Sequence, residues 1–218
     1  AAPGLDRRVL GAAHRRRAFS TVSKPAPNDV LRTRLALSKA ELEIVRRNLL
    51  VGARAAVEPK LDWLQTRLDL DAAQLKKVVL RSPPLLYYSV EDNLEPKLDW
   101  LRRRLDLDDV GLRKLLLRLP SLLGYSVEAN MAPKLAYLER EIGLSRAELR
   151  DWVVKVSSLL SRSLANRYRP RLEACRAAGV DVKRVLSYAT QTDETFCEKI
   201  GIAPEALEAI QKQSVLSV

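Results

Sequence analysis

A seven-residue segment recurs in this chain at an interval of 37 residues. Glu-Pro-Lys-Leu-Asp-Trp-Leu occupies residues 58–64 and again 95–101, and related versions occupy 132–138 and 169–175. The four copies keep one register, which is marked by Pro59, Pro96, Pro133 and Pro170. A fixed internal period of this length is typical of stacked repeats, so each unit is expected to bury its apolar face against its neighbours.

A second element follows the same interval. Pro-Pro-Leu-Leu-Tyr-Tyr-Ser at 83–89 aligns with Pro-Ser-Leu-Leu-Gly-Tyr-Ser at 120–126 and with Ser-Ser-Leu-Leu-Ser-Arg-Ser at 157–163. A degenerate copy is predicted at 46–50. Two elements in one register indicate that the repeat is a complete structural unit rather than a single recurring motif.

Each unit is predicted to contain two long helices and one short one. A first helix should begin near the repeat proline, which is tolerated in a first helical turn. Its apolar stripe would be Leu98, Leu101 and Leu105, and Asp106 and Asp108 would cap the helix junction. Second helices should end near residues 82, 119 and 156, where proline or its equivalent follows. In the second unit, the buried leucines of the two helices should be Leu98, Leu101, Leu112, Leu115 and Leu116.

These patterns predict an all-α protein, an α-solenoid of about four 37-residue repeats. We expect a basic N-terminal arm or transit peptide over residues 1–24 and a helical cap or degenerate repeat over 25–57. The repeats would cover 58–190, and a C-terminal helical cap would cover 191–218. Leu-, Arg-, Lys-, Glu- and Ala-rich composition favours helix throughout.

The N-terminal segment carries much of the charge. The chain has a net charge of +11, of which residues 1–24 contribute +5. An Arg-rich segment with Ser and Thr and a single acidic residue is typical of a mitochondrial transit peptide, and residues 17–20 resemble a cleavage site. Alternatively the arm is retained and runs extended against rRNA or an adjoining subunit. Arg15, Arg16 and Arg17 would then contact phosphate groups of the rRNA.

Several classes of site are disfavoured by the sequence. The chain has no glycine-rich phosphate loop, and its one histidine, His14, lies in the arm. Cys175 and Cys197 form no CxxC motif and are expected to be buried thiols. We therefore expect no enzyme activity, no metal site and no cofactor. No apolar run approaches the ~18 residues of a membrane-spanning helix.

The two recurring elements resemble the repeat of the mitochondrial transcription termination factor (mTERF) family. The proline-led Leu-Leu element at 120–126 is followed by Pro-Lys-Leu-Ala-Tyr-Leu at 133–138, and the resemblance covers roughly residues 45–210. It implies a curved α-solenoid that binds nucleic acid in mitochondria or plastids, with roles in transcription termination, RNA metabolism or ribosome assembly. Members often carry more repeats, which implies a shorter binding surface here.

Basic residues of the second helix also repeat at 37 residues, and stacked repeats would align them for a phosphate backbone. One column is Lys76, Arg113 and Arg150, and another is Arg81, Arg118 and Lys155. Lys114 matches Lys77, although Asp151 interrupts that column. The alternative is a solvated polar face, which every surface helix presents.

Residues 132–168 have a net charge of +3, the highest of any unit. The predicted phosphate contacts of this unit and its junction are Arg162, Arg167, Arg169 and Arg171. Of the predicted residues, Arg113, Arg118, Arg150, Lys155, Arg162 and Arg167 should face one surface. A further column of Lys60, Lys97, Lys134 and Arg171 is interpreted as local ion pairing or solubility. Trp63, Trp100 and Tyr137 are interpreted as packing residues rather than base-stacking ones.

Three functions remain open on the sequence. The chain could associate with rRNA as a subunit or associated factor of the mitochondrial ribosome. It could instead regulate transcription termination or RNA processing on duplex DNA or RNA. It could also be a protein-only scaffold of an organelle complex. We favour rRNA because the body of the chain is only moderately basic while the arm is strongly so.

Overall fold

The computed structural model describes residues 26–48 and 57–216, and in this part of the chain all regular structure is helical. Its α-helices are α1 (Pro27–Arg34), α2 (Lys39–Arg47), α3 (Val57–Arg67), α4 (Ala72–Arg81), α5 (Glu95–Leu105), α6 (Asp109–Arg118), α7 (Ala132–Ile142), α8 (Arg146–Lys155), α9 (Arg169–Ala177), α10 (Arg184–Ser187), α11 (Asp193–Ile200) and α12 (Pro204–Leu216). Short 3₁₀ turns follow α4, α6 and α8 at Pro83–Leu86, Pro120–Gly124 and Ser157–Ser161. The predicted all-α repeat architecture is confirmed.

The repeats pack through one continuous core. Second helices stack in order, α2 against α4, α4 against α6 and α6 against α8, while α1 packs on α3. The core cluster extends from Val30 to Leu207. The five leucines predicted to be buried in the second unit are at most 2% exposed. Because neither helix of a unit could bury its stripe alone, the fold depends on contacts between successive units.

The first α-helix of each unit begins within two residues of the repeat proline, as the sequence predicts, but in three units helical backbone extends further towards the N-terminus. A π-turn precedes three of the proline-containing helices, at Val90–Leu94, Val127–Met131 and Leu164–Tyr168, and continues directly into the α-helix. In these turns the bonds run from residue i to i−5, for example from Leu94 N to Ser89 O at 3.0 Å. In a regular helix the proline ring would clash with the carbonyl four residues earlier, and the wider turn relieves that clash. The repeat proline therefore lies inside a longer helical segment rather than at its beginning.

A serine begins each of these segments. Ser89, Ser126 and Ser163 accept backbone N–H bonds from residues three positions later, at 3.0, 2.9 and 3.0 Å. We expect Ser126→Ala to reduce the free energy of unfolding by about 1 kcal/mol, because the cap is lost. Urea denaturation would measure the change. Ser121→Ala, in the preceding 3₁₀ turn, is the control, and equal effects of the two substitutions would contradict the capping role.

The first unit is offset from the others. The loop residue with positive φ between the two helices is Ala36, Asp69, Asp106 and then Gly143, so the first interval is 33 residues rather than 37. The degenerate copy predicted at 46–50 is therefore wrong in register, because Arg46 and Arg47 form the last turn of α2. Residues 49–50 of that copy lie outside the described residues.

The N-terminus of α8 contains an acid-sensitive contact between units. Glu148 completes a capping box with Ser145 and forms an ion pair with Lys183 at 2.8 Å. Hydrogen bonds from Lys183 and then from Ser145 lower the pKa of Glu148 from 4.5 to about 2. Because this pKa is lower in the folded protein, the carboxylate stabilises the fold above pH 4.5, and the contribution is lost as pH falls towards 2.

We therefore expect Glu148→Gln to flatten the pH dependence of stability between about pH 4.5 and 2, since the carboxylate no longer titrates. Thermal melts at a series of pH values would measure this. Glu173→Gln, at an exposed carboxylate of α9, is the matched control for the loss of one negative charge. Parallel pH profiles for the wild type and E148Q would contradict the assignment.

Candidate nucleic-acid interface

The stacked second helices bring several predicted cations into one groove. Asp71, Asp108 and Ser145 cap α4, α6 and α8 at equivalent positions, which fixes the register of the basic residues that follow. A groove of about 700 Å³ lies between α6 and α8. Its basic residues are Lys114, Arg118, Arg150 and Lys155, and its acidic ones are Asp106, Asp108 and Asp151.

The acidic residues of this groove already have partners. Asp106 lies 3.6 Å from Arg150, and Asp151 accepts a hydrogen bond from the Nε of Arg150 at 3.1 Å. Asp108 accepts from the backbone N–H of Gly111 at 2.7 Å, as the predicted helix cap. Lys114, by contrast, is exposed and forms no hydrogen bond or ion pair with the described residues. The groove lining therefore has four basic and three acidic side chains, a small excess of positive charge, and Lys114 is the cation without a partner among the described residues.

The column of Lys76, Arg113 and Arg150 connects successive units. Each side chain reaches back to the left-handed loop residue of the preceding unit. Lys76 donates to the Ala36 carbonyl at 3.0 Å, Arg113 to the carbonyl of Asp69 at 2.7 Å and to its carboxylate, and Arg150 pairs with Asp106. These side chains are partly buried, so much of their hydrogen-bonding capacity stabilises the stack.

The column of Arg81, Arg118 and Lys155 is more exposed. Arg118 donates to the carbonyls of Val154 and Lys155 at 2.5 and 2.9 Å, at the C-terminus of α8. Arg81 makes the equivalent, longer contact with the Arg118 carbonyl at 3.5 Å. A cation here is stabilised by the partial negative charge of the helix end. Lys155 ends the column, with its ammonium 5.4 Å from the centre of the Trp152 ring.

Two arginines predicted to bind phosphate, Arg167 and Arg171, form hydrogen bonds within the protein instead. Arg171 is 0% exposed and donates to Asp193 at 2.6 Å and to the Tyr188 carbonyl at 2.7 Å. Its guanidinium carbon lies 4.5 Å from the centre of the Phe196 ring. Arg167 donates to the Ala189 carbonyl at 3.0 Å. We therefore correct the prediction for Arg171, which is a core residue and not available to a phosphate.

The remaining predicted residues are dispersed. Arg169 is exposed, 5.9 Å from the centre of the Tyr137 ring, and Arg162 lines a different cavity. Of the six residues expected on one surface, Arg118, Arg150 and Lys155 line the groove between α6 and α8 together with Lys114. Its lining does not include Arg113, Arg162 or Arg167. Arg167 donates to the carbonyls of Ala189 and Gln191. Arg15, Arg16 and Arg17 lie outside the described residues.

The lysines beside the repeat prolines have a role that the sequence did not reveal. Lys60, Lys97 and Lys134 donate to the carbonyls of Leu86, Leu123 and Leu160 at 2.9, 2.9 and 2.6 Å. Each bond joins a first helix to the 3₁₀ turn of the same unit. Burial lowers the pKa of all three lysines. For these three lysines a bond to a carbonyl takes the place of the local ion pairing that the sequence suggested, whereas Arg171 of the same column does form an ion pair, with Asp193. In all three units the lysine and the carbonyl are 26 residues apart, and this constant separation is the signal from which the bond could have been predicted.

Two other sequence interpretations, those of the repeat aromatic residues and of the two cysteines, are confirmed. Trp63, Trp100 and Tyr137 are partly buried against the core, as packing residues should be. Cys175 and Cys197 are buried free thiols, and burial raises the pKa of Cys175 to about 11. Across residues 26–48 and 57–216, no group of three or more His, Cys, Asp or Glu could hold a metal ion. None of the described helices combines the length and apolarity needed to cross a membrane.

Comparison with known families agrees with this repeat architecture. The family model described as mTERF matches residues 54–211, which span every complete repeat. The chain belongs to the mTERF family. Membership indicates a nucleic-acid-binding helical-repeat protein of organelle gene expression, from a family that is not typically enzymatic. A search among curated proteins found no match.

Proposed function

We propose that this mTERF protein binds RNA along its second helices and associates with rRNA in the mitochondrial ribosome. The observation that carries the proposal is the groove between α6 and α8, where Lys114, Arg118 and Lys155 are exposed. The acidic side chains beside them are held by Arg150 or by a backbone N–H. A phosphate backbone would supply the missing negative charge.

The size of this surface favours a structural partner over a free-standing duplex binder. Full-length second helices are limited to α4, α6 and α8 within the repeats, because α10 has only four residues. Several of their cations also stabilise contacts between units. Few cations therefore remain for phosphate contacts. The nonspecific affinity of a protein for nucleic acid depends on the number of such contacts. A large assembly would add protein contacts and, if the basic N-terminal segment is retained, further contacts to rRNA.

The proposal includes an organisation of the chain. The units between residues 58 and 190 would provide the binding surface, with helical caps at 25–57 and 191–218 and a targeting or RNA-binding segment at 1–24. The mitochondrial matrix is the proposed location, with the plastid as the alternative. Family membership favours a second function, regulation of transcription termination or RNA processing.

Sedimentation of native organelle lysate distinguishes these functions. We expect the protein to travel with ribosomal particles and to leave them after ribonuclease treatment but not after deoxyribonuclease treatment. A known ribosomal protein and a known nucleoid protein would serve as markers in the same gradient. Migration with the nucleoid would favour the regulator, and migration unaffected by either nuclease would contradict RNA binding.

A further inference from the structure

The buried lysine of the third unit lacks the negative charge found beside its counterparts. Lys60 and Lys97 interact electrostatically with Glu91 and Glu128, which oppose the effect of burial on their pKa values. Lys134 is only 4% exposed, and its pKa is lowered by burial with no carboxylate opposing it. The position equivalent to Glu91 and Glu128 is Ala165. An alanine has therefore replaced the counter-charge in this unit alone.

The cavities beside Lys97 and Lys134 occupy equivalent positions in successive units and differ in the charged residues that line them. The cavity beside Lys97 has a volume of about 430 Å³ and includes Asp92 and Glu128 in its lining. The cavity beside Lys134, which we name the Lys134 notch, has about 420 Å³. It is lined by Ala129, Asn130, Pro133, Lys134, Ser161, Arg162, Ser163, Leu164 and Ala165. Both carboxylates have become alanine, and the position of Tyr125 has become Arg162.

Three polar groups of the Lys134 notch have unused hydrogen-bonding capacity. The Nε of Arg162 is buried and has no hydrogen-bond partner among the described residues. An ammonium has three protons, and two of those on Lys134 go to Leu160 O and Asn130 Oδ1.

The third group is the hydroxyl of Ser163. Its counterpart Ser126 donates to Glu128 at 3.2 Å, and Ser89 has two carboxylate acceptors, Asp92 at 2.9 Å and Glu91 at 3.2 Å. Ala165 offers Ser163 no such acceptor. Ser163 is exposed, whereas the Nε of Arg162 and the ammonium of Lys134 are buried. Buried donors without acceptors are costly, so these two groups favour a ligand that accepts hydrogen bonds and carries negative charge.

We propose that the Lys134 notch binds a phosphate group, which occupies the place of the missing glutamate carboxylate. Lys134 and Arg162 supply positive charge, and Ser163 donates a hydroxyl hydrogen bond. The phosphate can come from a polynucleotide backbone or from free inorganic phosphate, because the chemistry of recognition is shared. The notch is separate from the groove between α6 and α8, with no lining residue in common.

Restoring the glutamate tests this site directly. Ala165→Glu places in the third unit the carboxylate that the other two possess, at an exposed position compatible with folding. Ala136→Glu is the matched control, because it restores the acid of Asp62 and Asp99 at an exposed position outside the notch lining. Binding of inorganic phosphate would be followed by amide chemical shifts in NMR, and RNA binding by fluorescence anisotropy. Arg162→Gln provides a second variant, which removes a cation without adding a carboxylate.

We expect phosphate to shift the amides around Ser163 saturably. A165E should weaken binding at least about tenfold, since it places a like charge at the anion site. A136E should stay within about twofold of the wild type, because residues two apart on a helix do not face each other and an exposed charge is screened. If the affinity for RNA alone falls in A165E and R162Q, the polynucleotide backbone is the source.

The proposal is overturned if A165E and A136E affect both ligands equally, or if neither ligand responds to A165E. If A165E loses phosphate binding and retains RNA binding, free phosphate is the ligand of the Lys134 notch, and the proposed RNA groove is unaffected. Phosphate binding without any RNA binding would support the notch and contradict the proposed function.

Discussion

Replacing Arg171 by methionine is expected to destabilise the C-terminal part of the fold by about 3 kcal/mol, because it removes every hydrogen bond that the buried guanidinium donates. The Arg171 guanidinium is fully buried and donates to Asp193 Oδ1 from both Nε and Nη2, at 3.1 and 2.6 Å. It also donates to the carbonyls of Tyr188 and Gln191 at 2.7 and 2.9 Å. Methionine would remove the donor to Asp193 Oδ1 and to the Tyr188 carbonyl, while the Gln191 carbonyl would keep its hydrogen bond from Arg167.

The loss should extend to the terminal helices. Asp193 begins α11 and accepts from Gln211 of α12 at 3.0 Å, while α12 packs against α9. Urea unfolding would measure the free energy, and hydrogen exchange would locate it to α9, α11 and α12. Arg171→Lys should also be strongly destabilising, because an ammonium lacks the planar fork of a guanidinium. Arg169→Met, at an exposed residue of the same helix, is the control. Equal urea midpoints for R171M and R169M would contradict the stabilising role of Arg171.

Reversing the charges of Lys114 and Lys155 should weaken RNA binding by roughly 25-fold or more at about 0.1 M salt, if each lysine contacts one phosphate. The slope of log affinity against log salt should fall by roughly 1.4–1.8, since each lost contact removes about 0.7–0.9. Both lysines are exposed in the groove, and their side chains make no hydrogen bond within the described part of the chain. The double substitution should therefore leave the fold intact, with a small loss of stability because Lys155 contacts the Trp152 ring and ends α8. Arg150 is a poorer target, because its ion pair with Asp106 also holds adjacent units together.

A matched variant separates groove binding from net charge. Lys199→Glu with Lys212→Glu makes the same change in charge on α11 and α12, outside the groove. Salt titrations of RNA affinity would be compared for the wild type and both double variants. An unchanged slope for K114E/K155E, or equal slopes for the two variants, would exclude a phosphate role for the groove lysines.

The sequence was sufficient for the repeat fold because its determinants are local and periodic. The leucine stripe of each helix follows the helical period, and the junctions contain residues such as Asp108 that cap the next helix. Recurrence at 37 residues then specifies which surfaces meet. The π-turns were missed because the proline that requires them also fits a first helical turn, so both interpretations satisfied the pattern.

Tertiary structure decided which cations are available to a partner. Arg118, Arg167 and Arg171 are all arginines at helix ends or junctions, yet one is exposed, one is half-buried and one is fully buried. Their long side chains reach carbonyls up to 37 residues away along the chain, as Arg118 does at Lys155. Those carbonyls come within reach only once neighbouring units have stacked. A periodic pattern therefore determines where each side chain begins, whereas the packed neighbour determines what its charged end contacts.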